Sequence, residues 1–138
     1  YNAFVLDYSV HNKNEKGKKF PGQLVEAAMA MKFIRDNAEK FKIDPDYVFV
    51  IGFSAGGHLA ASLGTLYNSK YVTDAVEMPE NYARPTGMIL AYPVISSGEY
   101  AHRGSFDNIL FDEKDSEEAR AKVSIENCVT QEKIQPFP

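Results

Sequence analysis

The sequence predicts an α/β fold, on three observations. Ala3-Phe4-Val5-Leu6, Val48-Phe49-Val50-Ile51 and Met88-Ile89-Leu90-Ala91 are short runs apolar on both faces, as buried parallel strands are. Stretches with apolar residues three and four apart follow the first and second runs, which is the spacing of one helix face. Turn residues stand at the joints: Asp44-Pro45-Asp46 ahead of the second run, Pro93 behind the third. Strands alternating with helices give a mostly parallel sheet flanked by helices, a three-layer αβα architecture.

In chain order, the first strand is expected over residues 4–8, and residues 9–19 are a polar loop containing Gly17. Pro21 fits a first helical position. A single amphipathic helix is expected over 23–41, with Leu24, Ala27, Ala28, Met31, Ile34, Ala38 and Phe41 on its buried face. Glu26, Lys32, Arg35, Glu39 and Lys40 mark its wet side, and Met29 and Met31 read as core filler. The second strand is expected over 47–53, a second helix over 55–67 and the third strand over 87–92, with 67–85 an irregular connection. After Pro93 the pattern weakens. Ser97-Gly98 is a turn, 104–110 is mixed, and Asp115 with Glu118 three residues on caps a short helix over 119–123. Thr130 is a candidate cap for another. No repeat and no low-complexity tract occurs.

The second strand runs directly into Gly52-Phe53-Ser54-Ala55-Gly56, and a run of small residues without proline follows at once. Strand, sharp turn and helix around G-x-S-x-G are the context of a nucleophile elbow, with Ser54 at the strand tip in a strained conformation of positive φ. Gly52 and Gly56 are expected to flank it because no Cβ fits where strand and helix pass. Ile43-Asp44-Pro45-Asp46 followed by Gly52-Phe53-Ser54-Ala55-Gly56-Gly57-His58-Leu59-Ala60-Ala61 resembles the α/β-hydrolase superfamily, in the branch of hormone-sensitive-lipase-like and bacterial acetyl-xylan-type esterases. The resemblance implies a serine carboxylic-ester hydrolase acting through an acyl-enzyme on Ser54, on short-chain acyl, often acetyl, esters of carbohydrates. A serine peptidase of the same fold and a non-catalytic hydrolase-like binding module are the alternatives.

A serine hydroxyl needs a base, a group to orient the base and donors for the oxyanion. The backbone N–H of Ala55, at the start of the helix, is placed for one donor. The second normally comes from a Gly-rich segment after an earlier strand, and no His-Gly-Gly-Gly run is present. The superfamily order is Ser, then Asp or Glu, then His. His11 precedes the serine in a polar loop. His58 lies on the serine's own helix and reads as a packing residue. His102, with Glu99 or Asp74 before it, is the formal candidate and reads as an exposed loop histidine. The resemblance places the catalytic acid and histidine after two further strands, outside these residues. Glu26 stands where related esterases often have Asp. The expectation is therefore that residues 1–138 are the central portion of one hydrolase domain, cut at Tyr1 and at Pro136-Phe137-Pro138. They would lack the N-terminal oxyanion segment and the C-terminal Asp/His segment, and would be inactive alone. A missing segment or a second chain is expected to complete the sheet.

Bulk properties exclude other classes. With 44% hydrophobic and 25% charged residues, 138 residues suffice for a globular core. The net charge of −4 argues against a nucleic-acid footprint, and Lys13, Lys16, Lys18 and Lys19 read as a solvated loop. The lone Cys128 permits no intrachain disulfide and reads as a packed thiol. Asp112, Asp115, Glu117 and Glu118 read as a solvated helix start, with no histidine spaced for a metal site. No cofactor is implied, no window reaches the ~18 apolar residues of a membrane span, and the compartment stays open.

Overall fold

The computed structural model describes residues 1–10 and 19–130. His11, Lys13, Lys16 and Lys18, and whatever follows Thr130, lie outside the described residues. The elements run α1 (Gly22–Asp36), α2 (Ala38–Phe41), β1 (Phe49–Phe53), α3 (Ala55–Leu66), α4 (Lys70–Thr73), β2 (Gly87–Ala91), α5 (Arg103–Leu110) and α6 (Glu117–Val123). Single 3₁₀ turns cover Phe111–Glu113 and Ile125–Cys128.

β1 and β2 pair in parallel, Phe49 opposite Gly87 through Phe53 opposite Ala91. The ladder starts at Phe49 rather than at residue 47 because the chain is still turning there. The Tyr47 N–H donates to the Asp44 carbonyl, and the Val48 N–H goes to the Thr86 hydroxyl at 3.0 Å. Thr86 in turn donates its hydroxyl to the Asp46 carbonyl, 2.6 Å, and its N–H to the Val48 carbonyl, 2.8 Å. One threonine thus sets the register of both strands.

The expected first strand is not formed. Residues 1–10 make no ladder. Phe4 instead stacks edge-on against Phe41 at 4.9 Å, the Asn2 amide donates to the Phe41 carbonyl at 2.7 Å, and Val5 is exposed. A strand is made by its neighbour's backbone groups, and among the described residues β1 and β2 pair only with each other.

α3 packs on both strands and on α1. Strand alternation sends Val50, Gly52, Met88 and Leu90 toward α3 and sends Phe49, Ile51, Phe53 and Ile89 to the opposite face. Gly64 of α3 has no side chain because the Met88 sulfur lies 2.1 Å from where its Cβ would be. The opposite face is open among the described residues: Phe49, Ile51, Phe53 and Ile89 are 47–59% exposed. The core therefore lies on one side of the sheet, between α1, α3 and α4. Leu24, Ala28, Met31, Leu59, Leu63, Leu66 and Val72 form it. A smaller cluster of Phe106, Leu110, Ala119 and Val123 joins α5 to α6.

The expected 23–41 helix is broken at Asn37, which leaves helical geometry (φ −110°, ψ 20°) while its side chain donates to the Phe33 carbonyl at 2.8 Å. A local side-chain bond of this kind competes with the helix ladder. Four of the seven expected face residues are fully buried, namely Leu24, Ala27, Ala28 and Met31. Met29 is exposed and fills no core. Ser116, not Asp115, caps α6, accepting from the Ala119 N–H at 3.2 Å. The stretch over 104–110 is a regular helix, and the 67–85 connection contains the short α4.

Two residues expected on the wet side of α1 hold other segments in place. Arg35 donates to the carbonyls of Pro45 (2.9 Å), Arg84 (2.8 Å) and Tyr82, tying the turns before β1 and before β2 to α1. Arg35→Ala is expected to lower stability by about 2 kcal/mol, because hydrogen bonds to a charged group contribute about 1.5–3 kcal/mol. Arg35→Lys should restore little, since one ammonium cannot reproduce the fork. Urea midpoints of the three proteins check this. Glu26 is the second such residue. Its carboxylate accepts the Ser9 N–H at 2.8 Å and the Ser9 hydroxyl at 2.7 Å, fixing the chain at residues 8–10 against α1.

Candidate active site

Ser54 joins β1 to α3 at the carboxyl end of the strand, with φ 50° and ψ −117°. That conformation costs a non-glycine residue roughly 1–3 kcal/mol. Three backbone bonds enforce it. The Ser54 N–H donates to the Ala91 carbonyl at 3.1 Å, and the Ser54 carbonyl accepts from Val94 at 3.2 Å and from His58 at 3.1 Å. The end of β2 and the segment after Pro93 therefore clamp the turn, which leaves the Ser54 side chain exposed.

The glycines divide the work differently from the expectation. At Gly52 a Cβ would lie 2.2 Å from the Gly56 carbonyl oxygen and 2.7 Å from the Gly57 nitrogen. At Gly56 the nearest atom to a Cβ would be the Tyr8 hydroxyl, 3.9 Å away, so space does not require glycine there. The second tight position is Gly57, where a Cβ would stand 2.8 Å from the Pro93 Cβ. The first turn of α3 sits directly over Gly52 and against Pro93, while Gly56 faces the Tyr8 hydroxyl.

Ala55 is the first residue of α3. First-turn N–H groups have no intrahelical acceptor, and the helix dipole adds to their pull on an anion. Phe53 points to the open sheet face and touches Tyr92, ring centroids 6.0 Å apart.

Among the described residues no histidine side chain is hydrogen-bonded to the Ser54 hydroxyl. His58, on the first turn of α3, is buried; its Nε2–H donates to the Val123 carbonyl at 2.8 Å, and Phe106 meets its ring edge-on at 5.8 Å. His102 is exposed at the start of α5, with Nδ1 2.9 Å from the Ser105 hydroxyl. Glu99 and Asp74 are exposed. Lys19, the described member of the basic loop, pairs with Asp112 (3.1 Å) and Glu113 (3.4 Å). Cys128 is half-buried, its thiol 3.7 Å from the Ser124 carbonyl. Among the described residues no helix is long and apolar enough to cross a membrane.

Burial holds the His58 imidazolium below its ordinary pKa, outweighing the Val123 carbonyl, which favours the charged form. The folded state thus binds the proton less readily than the unfolded chain. The contribution is fully present above about pH 6.5, the unfolded value, and is lost as pH falls from there toward the folded pKa. The urea midpoint should fall more steeply between about pH 7 and about pH 5 in the wild type than in His58→Gln. Parallel curves would show that His58 does not titrate in this way.

Sequence patterning missed Tyr8, whose ring packs against the main core beside α3, and Val94, whose N–H holds Ser54. No sequence signal marks either, since both roles arise from contacts between remote segments.

The chain is similar to known proteins in sequence and in fold. The model of the family described as BD-FAE matches residues 1–95. Endo-1,4-beta-xylanase B of Butyrivibrio fibrisolvens is 38% identical over 114 residues, 79% of this chain and 17% of the relative. An acetylxylan esterase of Xylanibacter ruminicola is 36% identical over 86 residues, 62% of this chain and 15% of the relative. Among solved structures, an acetyl ester-xyloside bifunctional hydrolase from Caldicellulosiruptor lactoaceticus superposes with a TM-score of 0.65 at 36% identity, over 81% of this chain and 41% of that one. The chain thus spans less than a fifth of the curated relatives' length and under half of the solved one.

Proposed function

Since this chain belongs to the BD-FAE family and has the α/β class of its hydrolase neighbours, we propose that it carries the nucleophile of a serine carboxylic-ester hydrolase. The observation that carries the reading is Ser54 itself: an exposed serine at φ 50°, between a strand and the N-terminus of a helix. Strain at that position has no structural use that a glycine would not serve better.

In the proposed reaction the Ser54 oxygen attacks the ester carbonyl carbon while its proton passes to a base. The oxyanion faces the Ala55 N–H, and collapse expels the alcohol, which takes the proton back. Water, deprotonated by the same base, then releases the acid and regenerates Ser54. Neither His58 nor His102 is placed as that base. The base, its orienting acid and the second oxyanion donor are assigned to parts of the domain outside these residues, and residues 1–138 are its central portion. The relatives' acetylxylan and acetyl-ester names support short acyl esters of carbohydrates as substrates.

A fluorophosphonate probe tests the nucleophile. It should label the full-length protein, and labelling should vanish in Ser54→Ala. Labelling that survives the substitution removes the proposal. Residues 1–138 expressed alone should turn over no ester. Ser54-dependent turnover there would assign the base to a histidine within the chain. A nitrophenyl-ester series on the full-length protein should favour acetate over long acyl chains.

A further inference from the structure

A cavity of about 170 Å³ lies between the start of α1, the outer face of α3 and α5. It begins at the nucleophile turn: Ala55, the neighbour of Ser54, and Val94, which bonds the Ser54 carbonyl, both line it. Tyr8 lines it too, with its hydroxyl over the first turn of α3. The far wall is apolar, made by Leu59, Phe106 and Ile109.

The serines of the wall are already engaged. Ser9 donates to Glu26 at 2.7 Å, Ser62 to the His58 carbonyl at 2.8 Å, and the Ser105 hydroxyl bonds His102 at 2.9 Å. His58 spends its Nε2–H on Val123. Among the described residues the Tyr8 hydroxyl and the amides of Gln23 and Asn108 are the other polar side-chain groups that line it. A sugar needs a hydrogen-bond partner for nearly every hydroxyl it buries, and this wall has most of its polar groups committed. An aliphatic chain needs none. Size sets the limit, since an apolar cavity of about 150 Å³ holds one benzene.

We propose that this cavity receives the acyl group of the ester, from acetyl up to about six carbons, and that Ile109 sets the length limit, with the alcohol half left toward the open side of Ser54. The inference rests on Ser54 being the nucleophile. Ile109 is chosen because it is only half-buried, whereas Phe106 is a core residue.

The experiment measures kcat/KM of the full-length protein on nitrophenyl acetate, butyrate, hexanoate and octanoate, for wild type, Ile109→Ala and Ile109→Trp, with Ser54→Ala as reference. One methylene in an apolar pocket changes specificity by roughly 10–200-fold. Ile109→Ala should raise the octanoate-to-acetate ratio at least about tenfold, and Ile109→Trp should lower the butyrate-to-acetate ratio by a similar factor. Turnover that depends on Ser54 but keeps the wild-type ratios in both variants overturns the cavity assignment alone. Turnover that persists in Ser54→Ala overturns the nucleophile reading beneath it. If Ile109→Trp does not fold, Ile109→Ala decides by itself.

Discussion

Ser54→Ala is expected to lower ester turnover of the full-length protein by about a millionfold, the size of loss seen when a serine nucleophile is removed from a complete machinery. The Ala55 N–H and the binding surfaces would survive, so a residual rate of roughly 10³–10⁴ over water is the floor. A second substitution separates chemistry from folding. Ser54→Gly removes the same hydroxyl and also relieves the positive φ of 50°. It should be as inactive as Ser54→Ala while melting higher, by about 1 kcal/mol of strain released. A drop in turnover of only a few-fold in both variants would mean that Ser54 is a turn residue and that the nucleophile lies elsewhere.

Gly52→Ala carries the second large effect, and Gly56→Ala is its control. The new methyl at Gly52 would meet the Gly56 carbonyl oxygen at 2.2 Å, with Gly57 backbone behind it. Backbone of a helix start cannot give way as a flexible side chain can, so β1 and α3 must separate. That overpacking should cost about 3 kcal/mol, the upper end of the usual range, and should move the turn enough to lose most of the labelling of Ser54. At Gly56 a methyl finds nothing nearer than 3.9 Å, and the backbone there has no positive φ. Gly56→Ala should therefore stabilise α3 by up to about 1 kcal/mol, the ordinary propensity gain. Equal destabilisation by the two substitutions, in thermal unfolding, would contradict the packing described here. The pair matters because the pentapeptide pattern treats both glycines alike.

The elbow and its two strands were legible because their signals are local. Val48 to Phe53 is an apolar run, the glycines mark a turn, and the run of small residues after Ser54 marks a helix packed close to backbone. These properties set φ and ψ preferences and the buried face within about ten residues of chain. α1 was legible in the same way through Leu24, Ala27, Ala28 and Met31, although its break at Asn37 turns on one amide finding the Phe33 carbonyl.

The α/β class and the place of Ser54 at a strand-to-helix turn thus follow from local periodicity and turn chemistry alone. Only the tertiary structure decided what depends on a remote neighbour. Ala3 to Leu6 has the composition of a strand, yet it forms none here, because a strand exists only where another strand meets its N–H and C=O groups. Glu26 and Arg35 lie on the polar side of α1, yet they serve as clamps on Ser9 and on the carbonyls of Pro45 and Arg84. Gly57 rather than Gly56 is the tight glycine because Pro93, more than thirty residues on, packs against it. The cavity beside Ala55 is bounded by Phe106 and Ile109 of α5, about fifty residues further along the chain. Each of these depends on which surfaces the chain brings together, and a pattern read over one helical turn or one strand holds no information about that partner.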